Sequence, residues 1–90
     1  MRIIILSRPN RDYTRAVDDW IKEFEMIGGT SRVEPELLDP DSRAGEVLAR
    51  AYNVMNYPAV LVTAEDGKVI RGYSGMPLPM ISEIKGYTFL

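Results

Sequence analysis

The run Ile3-Ile4-Ile5-Leu6 carries no polar alternation, the pattern of a strand buried on both faces, here spanning Arg2 to Leu6. Pro9-Asn10 breaks it. Apolar residues then recur at Tyr13, Val17, Trp20, Ile21, Phe24 and Ile27, with Asp18, Asp19, Lys22, Glu23 and Glu25 between them. This is a helical stripe with a solvated opposite side. Asn10 or Asp12 can cap its start, and Gly28-Gly29 can end it. Arg32 to Leu38 reads as a shorter second strand, and Pro35 makes it an edge strand. Asp39-Pro40-Asp41-Ser42 turns into a second helix capped by Asp39 or Ser42. Its expected buried face is Ala44, Val47, Leu48, Ala51 and Tyr52. Ala59 to Thr63 and Lys68 to Tyr73 flank Asp66-Gly67, a hairpin signal. A last helix starts near Pro79 and runs through Met80, Ile81 and Ile84 to Gly86.

Topology follows from these elements. A β-α-β unit makes its two strands parallel with a right-handed crossover. The tight hairpin adds antiparallel strands, since so short a turn cannot join parallel ones. The expected fold class is α/β, in the order β-α-β-α-β-β-α: a four-stranded mixed sheet with helices on both faces. No repeat or linker interrupts the 90 residues, so residues 1–90 are expected to form a single domain.

Composition narrows the chemistry. Apolar content of 46% and charged content of 27% fit a folded soluble chain. A net charge of −2 gives no basic field for a phosphate backbone, so no nucleic-acid partner is expected. The longest apolar run is too short to span a bilayer, and no signal-peptide pattern precedes it, so neither a membrane nor an export route is expected. A cytoplasmic location is the default. Cysteine and histidine both stand at zero. That removes disulfides, thiol nucleophiles, Cys/His zinc sites and any Ser-His-Asp triad. Asp18-Asp19 with Glu23 and Glu25 diverge around a helix, and Asp39-Pro40-Asp41 is short of ligands for a calcium loop, so no metal site is expected.

One stretch resembles a known family. Leu48-Ala49-Arg50-Ala51-Tyr52-Asn53-Val54, then Tyr57-Pro58-Ala59-Val60, Gly67-Lys68-Val69 and Gly72-Tyr73-Ser74-Gly75 are similar to the back half of thioredoxin-like domains. They match the helix, the cis-proline, the following strand, the hairpin and its exit. Leu6-Ser7-Arg8-Pro9-Asn10 is similar to the approach to a glutaredoxin active site. The redox Cys-x-x-Cys of the family would fall at Arg11-Asp12-Tyr13-Thr14, so both thiol positions hold other residues. The resemblance covers nearly the whole chain.

What the resemblance implies is a cis Tyr57–Pro58 bond that turns the preceding main chain outward, where family members pair with an extended peptide or with glutathione. Such pairing uses backbone groups and a groove, and needs no cysteine. The expected function is therefore a redox-inactive interaction module that binds a segment of another protein. Its expected site is Arg11, Tyr13, Thr14, Asn56, Tyr57, Pro58, Ser74 and Gly75. Arg8 and Arg11 would add charge for a carboxylate or phosphate, and Met55, Met76 and Met80 would lie near the groove. Each of these residues also has a plainer use as cap, solvated charge or core. No catalytic residue and no obligatory cofactor are expected. A second reading is a glutathione-transferase-like protein in which Tyr13, Ser7 or Thr14 steadies a glutathione thiolate. The 90 residues leave no room for the helical domain that usually holds the electrophile in such enzymes. A third is a structural subunit that joins an assembly through its sheet edge or the apolar tail Tyr87 to Leu90.

Overall fold

Side chains alternate across a strand, so a sheet made from this sequence has two apolar faces to cover. The computed structural model describes residues 1–27 and 33–87. Its elements are β1 (Arg2–Leu6), α1 (Thr14–Ile27), β2 (Pro35–Leu38), α2 (Arg43–Ala51), β3 (Ala59–Thr63), β4 (Val69–Ser74) and α3 (Ile81–Tyr87). The four strands lie in the order β2-β1-β3-β4. β1 is parallel to β2 and antiparallel to β3, and β4 is antiparallel to β3. The fold is the expected mixed α/β sheet, with β2 on an edge.

The two faces are covered differently. On one, Ile3, Ile5, Val60 and Val62 pack against Val17, Trp20 and Phe24 of α1 and Ile81 and Ile84 of α3. Trp20 is a core residue: its ring lies 5.4 Å from that of Phe24, and its indole N–H donates to the Pro79 carbonyl at 2.8 Å. On the other face, Ile4, Leu6, Ala59 and Leu61 meet Leu38, Leu48, Ala49 and Tyr52. The central strands β1 and β3 are thus enclosed on both sides, which is why neither shows polar alternation.

The packing face of α2 differs from the expected one. Ala44, Val47 and Ala51 are exposed, and the face toward the sheet is Gly45, Leu48, Ala49 and Tyr52. These positions have helical i, i+3, i+4, i+7 spacing, one residue away from the expected phase. Gly45 explains the shift. A Cβ on it would stand 2.0 Å from the Asp39 carbonyl oxygen, so the helix start presses directly on the preceding turn. Ser42 is the cap, its hydroxyl accepting from Gly45 N–H. The helix ends on Asn53 at φ +54°, with Asn53 N–H bonded to the Arg50 carbonyl and Val54 N–H to that of Ala49. This is a Schellman closure with Asn as the left-handed residue.

Three further boundaries move. Neither Asn10 nor Asp12 caps α1, which begins at Thr14. The hairpin closes with Ala64 N–H on the Lys68 carbonyl, leaving a Glu65-Asp66-Gly67 loop with Gly67 at φ +88°. β4 pairs with a bulge near Val62/Thr63, and α3 starts at Ile81 rather than near Pro79. The expected Gly28-Gly29 helix stop, the Ile27 side chain, the Arg32 start of β2 and the tail beyond Tyr87 lie outside the described residues. Among the described residues, no helix is long and apolar enough to cross a membrane.

Two glycine substitutions separate packing from propensity. Gly45→Ala meets main-chain atoms that cannot move aside and should cost about 1–3 kcal/mol. Gly86→Ala, whose Cβ meets nothing within 4 Å, should gain about 0.5–1 kcal/mol in α3. Urea denaturation of both variants checks the pair.

Candidate functional site

The register brings four chain ends into one row. Leu6 is opposite Leu38 on one side and Ala59 on the other, and Ala59 is opposite Ser74. The loops after β1, β2 and β4 and the loop before β3 therefore gather at the same end of the sheet. All eight expected site residues lie on three of these loops or next to them.

The β1–α1 loop is stitched by side chains. The Thr14 hydroxyl accepts from Arg11 N–H at 2.8 Å and donates to the Arg8 carbonyl at 3.2 Å. The Tyr13 hydroxyl accepts from Arg8 N–H at 3.3 Å, while its ring packs against the α1 core face. Asn10 reverses the chain at φ +57°, a conformation Asn tolerates better than most residues. Arg11 is exposed, and its guanidinium makes no salt bridge among the described residues.

On the β3 side, the Tyr57–Pro58 peptide is cis, as is Met76–Pro77. Pro58 is fully buried, and its carbonyl accepts from Gly75 N–H at 2.8 Å. Gly75, at φ +76°, sits against the Asn56 side chain. Ser74 is exposed and paired with Ala59. Met55 and Met76 flank this point, both exposed, and Met80 is exposed beyond the next turn. Asn56 and Tyr57 make no main-chain hydrogen bond within the chain among the described residues. Asn56 is exposed, and the Tyr57 ring beside it is half-buried.

Arg8 ties the loops together. Its guanidinium sits 4.5 Å above the centre of the Tyr57 ring. It also grips the Asp41 carboxylate with Nε to Oδ2 at 3.0 Å and Nη2 to Oδ1 at 3.2 Å. One side chain thus spans the loops that follow β1 and β2 and the loop that precedes β3. Arg8 was expected to offer charge to a ligand. Instead that charge is neutralised by Asp41, a residue read from sequence only as part of a turn. The hydrogen bonds from Arg8 hold the Asp41 carboxyl below its usual range, helped by the Arg8 and Arg11 charges. The same contact raises the Arg8 pKa. Beside the pair opens a cleft of about 490 Å³, lined by Ala49, Val54, Met55 and Tyr57 together with the ion-paired Glu46 and Arg50.

The structure thus joins Arg11, Tyr13 and Thr14 through Arg8, and Asn56, Pro58, Ser74 and Gly75 through the strand ends, with Tyr57 touching both groups. Neither Arg8 nor Asp41 carries a sequence signal of its role, because the two are 33 residues apart.

Comparison with solved structures identifies the architecture. The structure of the first two thioredoxin domains of Saccharomyces cerevisiae Eps1p superposes with a TM-score of 0.63 at 14% sequence identity, over 97% of this chain and 33% of that one. The chain therefore has a thioredoxin-like fold and spans about a third of the length of that structure. No family model matches the sequence, and no curated protein does.

The Arg8–Asp41 contact sets a pH dependence. A carboxyl pKa lowered by folding means the contact is intact above the usual aspartate range. It is lost as pH falls through the lowered Asp41 value. In a carboxyl-detected NMR titration, Arg8→Ala should return the Asp41 midpoint upward toward the ordinary aspartate value. The Tyr57 ring signals should show a low-pH step in the wild type at the Asp41 midpoint and lose it in the variant.

Proposed function

We propose that the chain is a redox-inactive, thioredoxin-like interaction module that holds an extended segment of another protein against the Asn56–Pro58 loop. The observation that carries this reading is the pair of unpartnered main-chain residues, Asn56 and Tyr57. Exposed, unpaired peptide groups beside a strand are the donors and acceptors that strand addition uses. Tyr57 offers a ring held in place by Arg8, and such a fixed aromatic loses little entropy when a partner packs on it. Met55 and Met76 add adaptable apolar contact on either side. Thiol–disulfide exchange is not part of the proposal, since attack needs a thiolate and the chain has no cysteine.

Hydroxyl-assisted glutathione chemistry fits these residues less well. The Thr14 hydroxyl already accepts one main-chain hydrogen bond and donates another. Ser7 is buried, and Tyr13 is engaged with the Arg8 amide. To serve a thiolate, the Thr14 hydroxyl would have to give up its bond to the Arg8 carbonyl, and Ser7 would have to be uncovered.

Affinity capture from the host lysate tests the proposal, with wild type set against a Tyr57→Asp variant whose fold is verified by circular dichroism. Wild type should retain a partner whose binding segment weakens at least about tenfold against the variant, or about 1.4 kcal/mol. Titration of that segment should move the amide signals of Asn56, Tyr57 and Gly75. Equal retention by the folded variant would place binding on another face. Amide shifts at Tyr13 and Thr14 with millimolar glutathione would favour the transferase-like reading instead.

A further inference from the structure

The two edges of the sheet are unlike each other. β2 has four residues, opens on Pro35 and holds Glu36 in an ion pair with Arg2. Short length, proline and charge all blunt an edge. β4 has six residues, and Ile70, Arg71, Gly72 and Ser74 are exposed along it.

The hydrogen-bond parity of β4 is fixed by one contact. Gly75 N–H donates to the Pro58 carbonyl, so that pair is hydrogen-bonded. The antiparallel alternation makes Tyr73/Val60 and Arg71/Val62 hydrogen-bonded as well. The main-chain groups of Gly72 and Ser74 therefore point away from β3 into solvent.

Side chains divide between the faces in the same way. Arg71 and Tyr73 stand on the α1/α3 side, opposite Val62 and Val60. There the Arg71 guanidinium lies 5.3 Å from the Tyr73 ring centre, and the Tyr73 hydroxyl donates to Glu83 at 2.7 Å. Burial, followed by the Glu83 contact, raises the Tyr73 pKa, so the hydroxyl stays a neutral donor. The other side of β4 carries Gly72, with no side chain.

We propose that β4 is a self-complementary edge through which two copies of the chain pair antiparallel about a twofold axis at Gly72. A twofold contact must match a surface to itself, and parity allows the axis only through a residue, not between two. An axis at Arg71 sets Arg71 directly against its copy, an unfavourable like-charge pair. An axis at Tyr73 leaves only Gly72 to Ser74 to pair, because Gly75 turns the strand away at φ +76°. The axis at Gly72 satisfies both limits. Gly72 exchanges hydrogen bonds with Gly72 of the second copy, and Ser74 comes opposite Ile70, the extra residue at the bulge that ends the regular register of β4. Each Arg71 stands opposite the Tyr73 of the other copy, whose hydroxyl already leans on a Glu83 carboxylate. That juxtaposition is complementary in charge and repeats across the axis. The surface shares only Ser74 with the site around Tyr57 and does not depend on that reading.

The absence of cysteine makes the register directly measurable. Across a hydrogen-bonded antiparallel pair the Cα atoms are about 5.5 Å apart, within disulfide range. A Cβ at Gly72 would have only an ordinary contact with Leu61, at 3.5 Å. The wild type should sediment as a dimer at equilibrium. Under mild oxidation Gly72→Cys should form a covalent dimer with an unchanged circular dichroism spectrum, and Arg71→Cys should not. Arg71→Glu, which sets carboxylate near carboxylate, and Gly72→Pro, which removes an outward N–H, should each give monomers. A wild-type monomer at every concentration would overturn the proposal. So would a dimer that survives Arg71→Glu, or linkage through Arg71→Cys in preference to Gly72→Cys.

Discussion

Everything in this molecule is arranged around two short strands that need cover on both faces. β1 and β3 are the inner pair of the sheet, and Ile3, Ile4, Ile5, Leu6, Ala59, Val60 and Val62 are without solvent exposure. Burying an aliphatic side chain of this size is worth about 1.5–3 kcal/mol, so neither face of the pair can be left open. α1 and α3 take one face and α2 takes the other. Gly45 lets the first turn of α2 close directly on the Asp39-Pro40 main chain. The turn from Asp39 to Ser42 is fixed as a consequence, which places Asp41 within reach of Arg8.

That chain of contacts links packing to the candidate site. Arg8 sits two residues past the buried end of β1, and its main chain is held by the Tyr13 and Thr14 hydroxyls. Its side chain then reaches Asp41 in front of α2 and Tyr57 in front of β3. An exposed ion pair alone contributes little to stability. Here its consequence is geometric, because one planar guanidinium meets a carboxylate edge-on and an aromatic ring face-on. The loop around Tyr57 is thereby presented in one shape, although Asn56 and Tyr57 spend no main-chain hydrogen bonds on holding it.

The parts of the fold legible in sequence are those written in side-chain hydrophobicity or turn chemistry. The unbroken run at Ile3–Leu6, the α1 stripe through Val17, Trp20 and Phe24, and Asp66-Gly67 with its positive φ each carry their own local reason. The phase of α2 was illegible because its tightest contact is made by Gly45, and a missing side chain has no hydropathy. The start of α1 moved for a related reason. Asn10 takes a left-handed turn, and the Thr14 hydroxyl does the stitching expected of an Asx cap. At the site, Tyr13, Thr14, Tyr57 and Pro58 were legible through a family resemblance, which fixes position along the chain. Arg8 and Asp41 were not, since their meeting exists only after β1, β2 and α2 have been packed.

A thiol site and an open main chain have different structural requirements. A thiol pair at the head of α1 needs a helix N-terminus with its amides available, and here Thr14 and Tyr13 use their hydroxyls to brace the turn in front of that helix. Those contacts stiffen a place that a redox site would keep accessible to a second sulfur. The loop before β3 shows the opposite economy, since Pro58 is buried and bonded through its carbonyl while the two residues before it stay unpaired. The fold thus closes one half of the sheet end with side chains and leaves the other half open through its backbone.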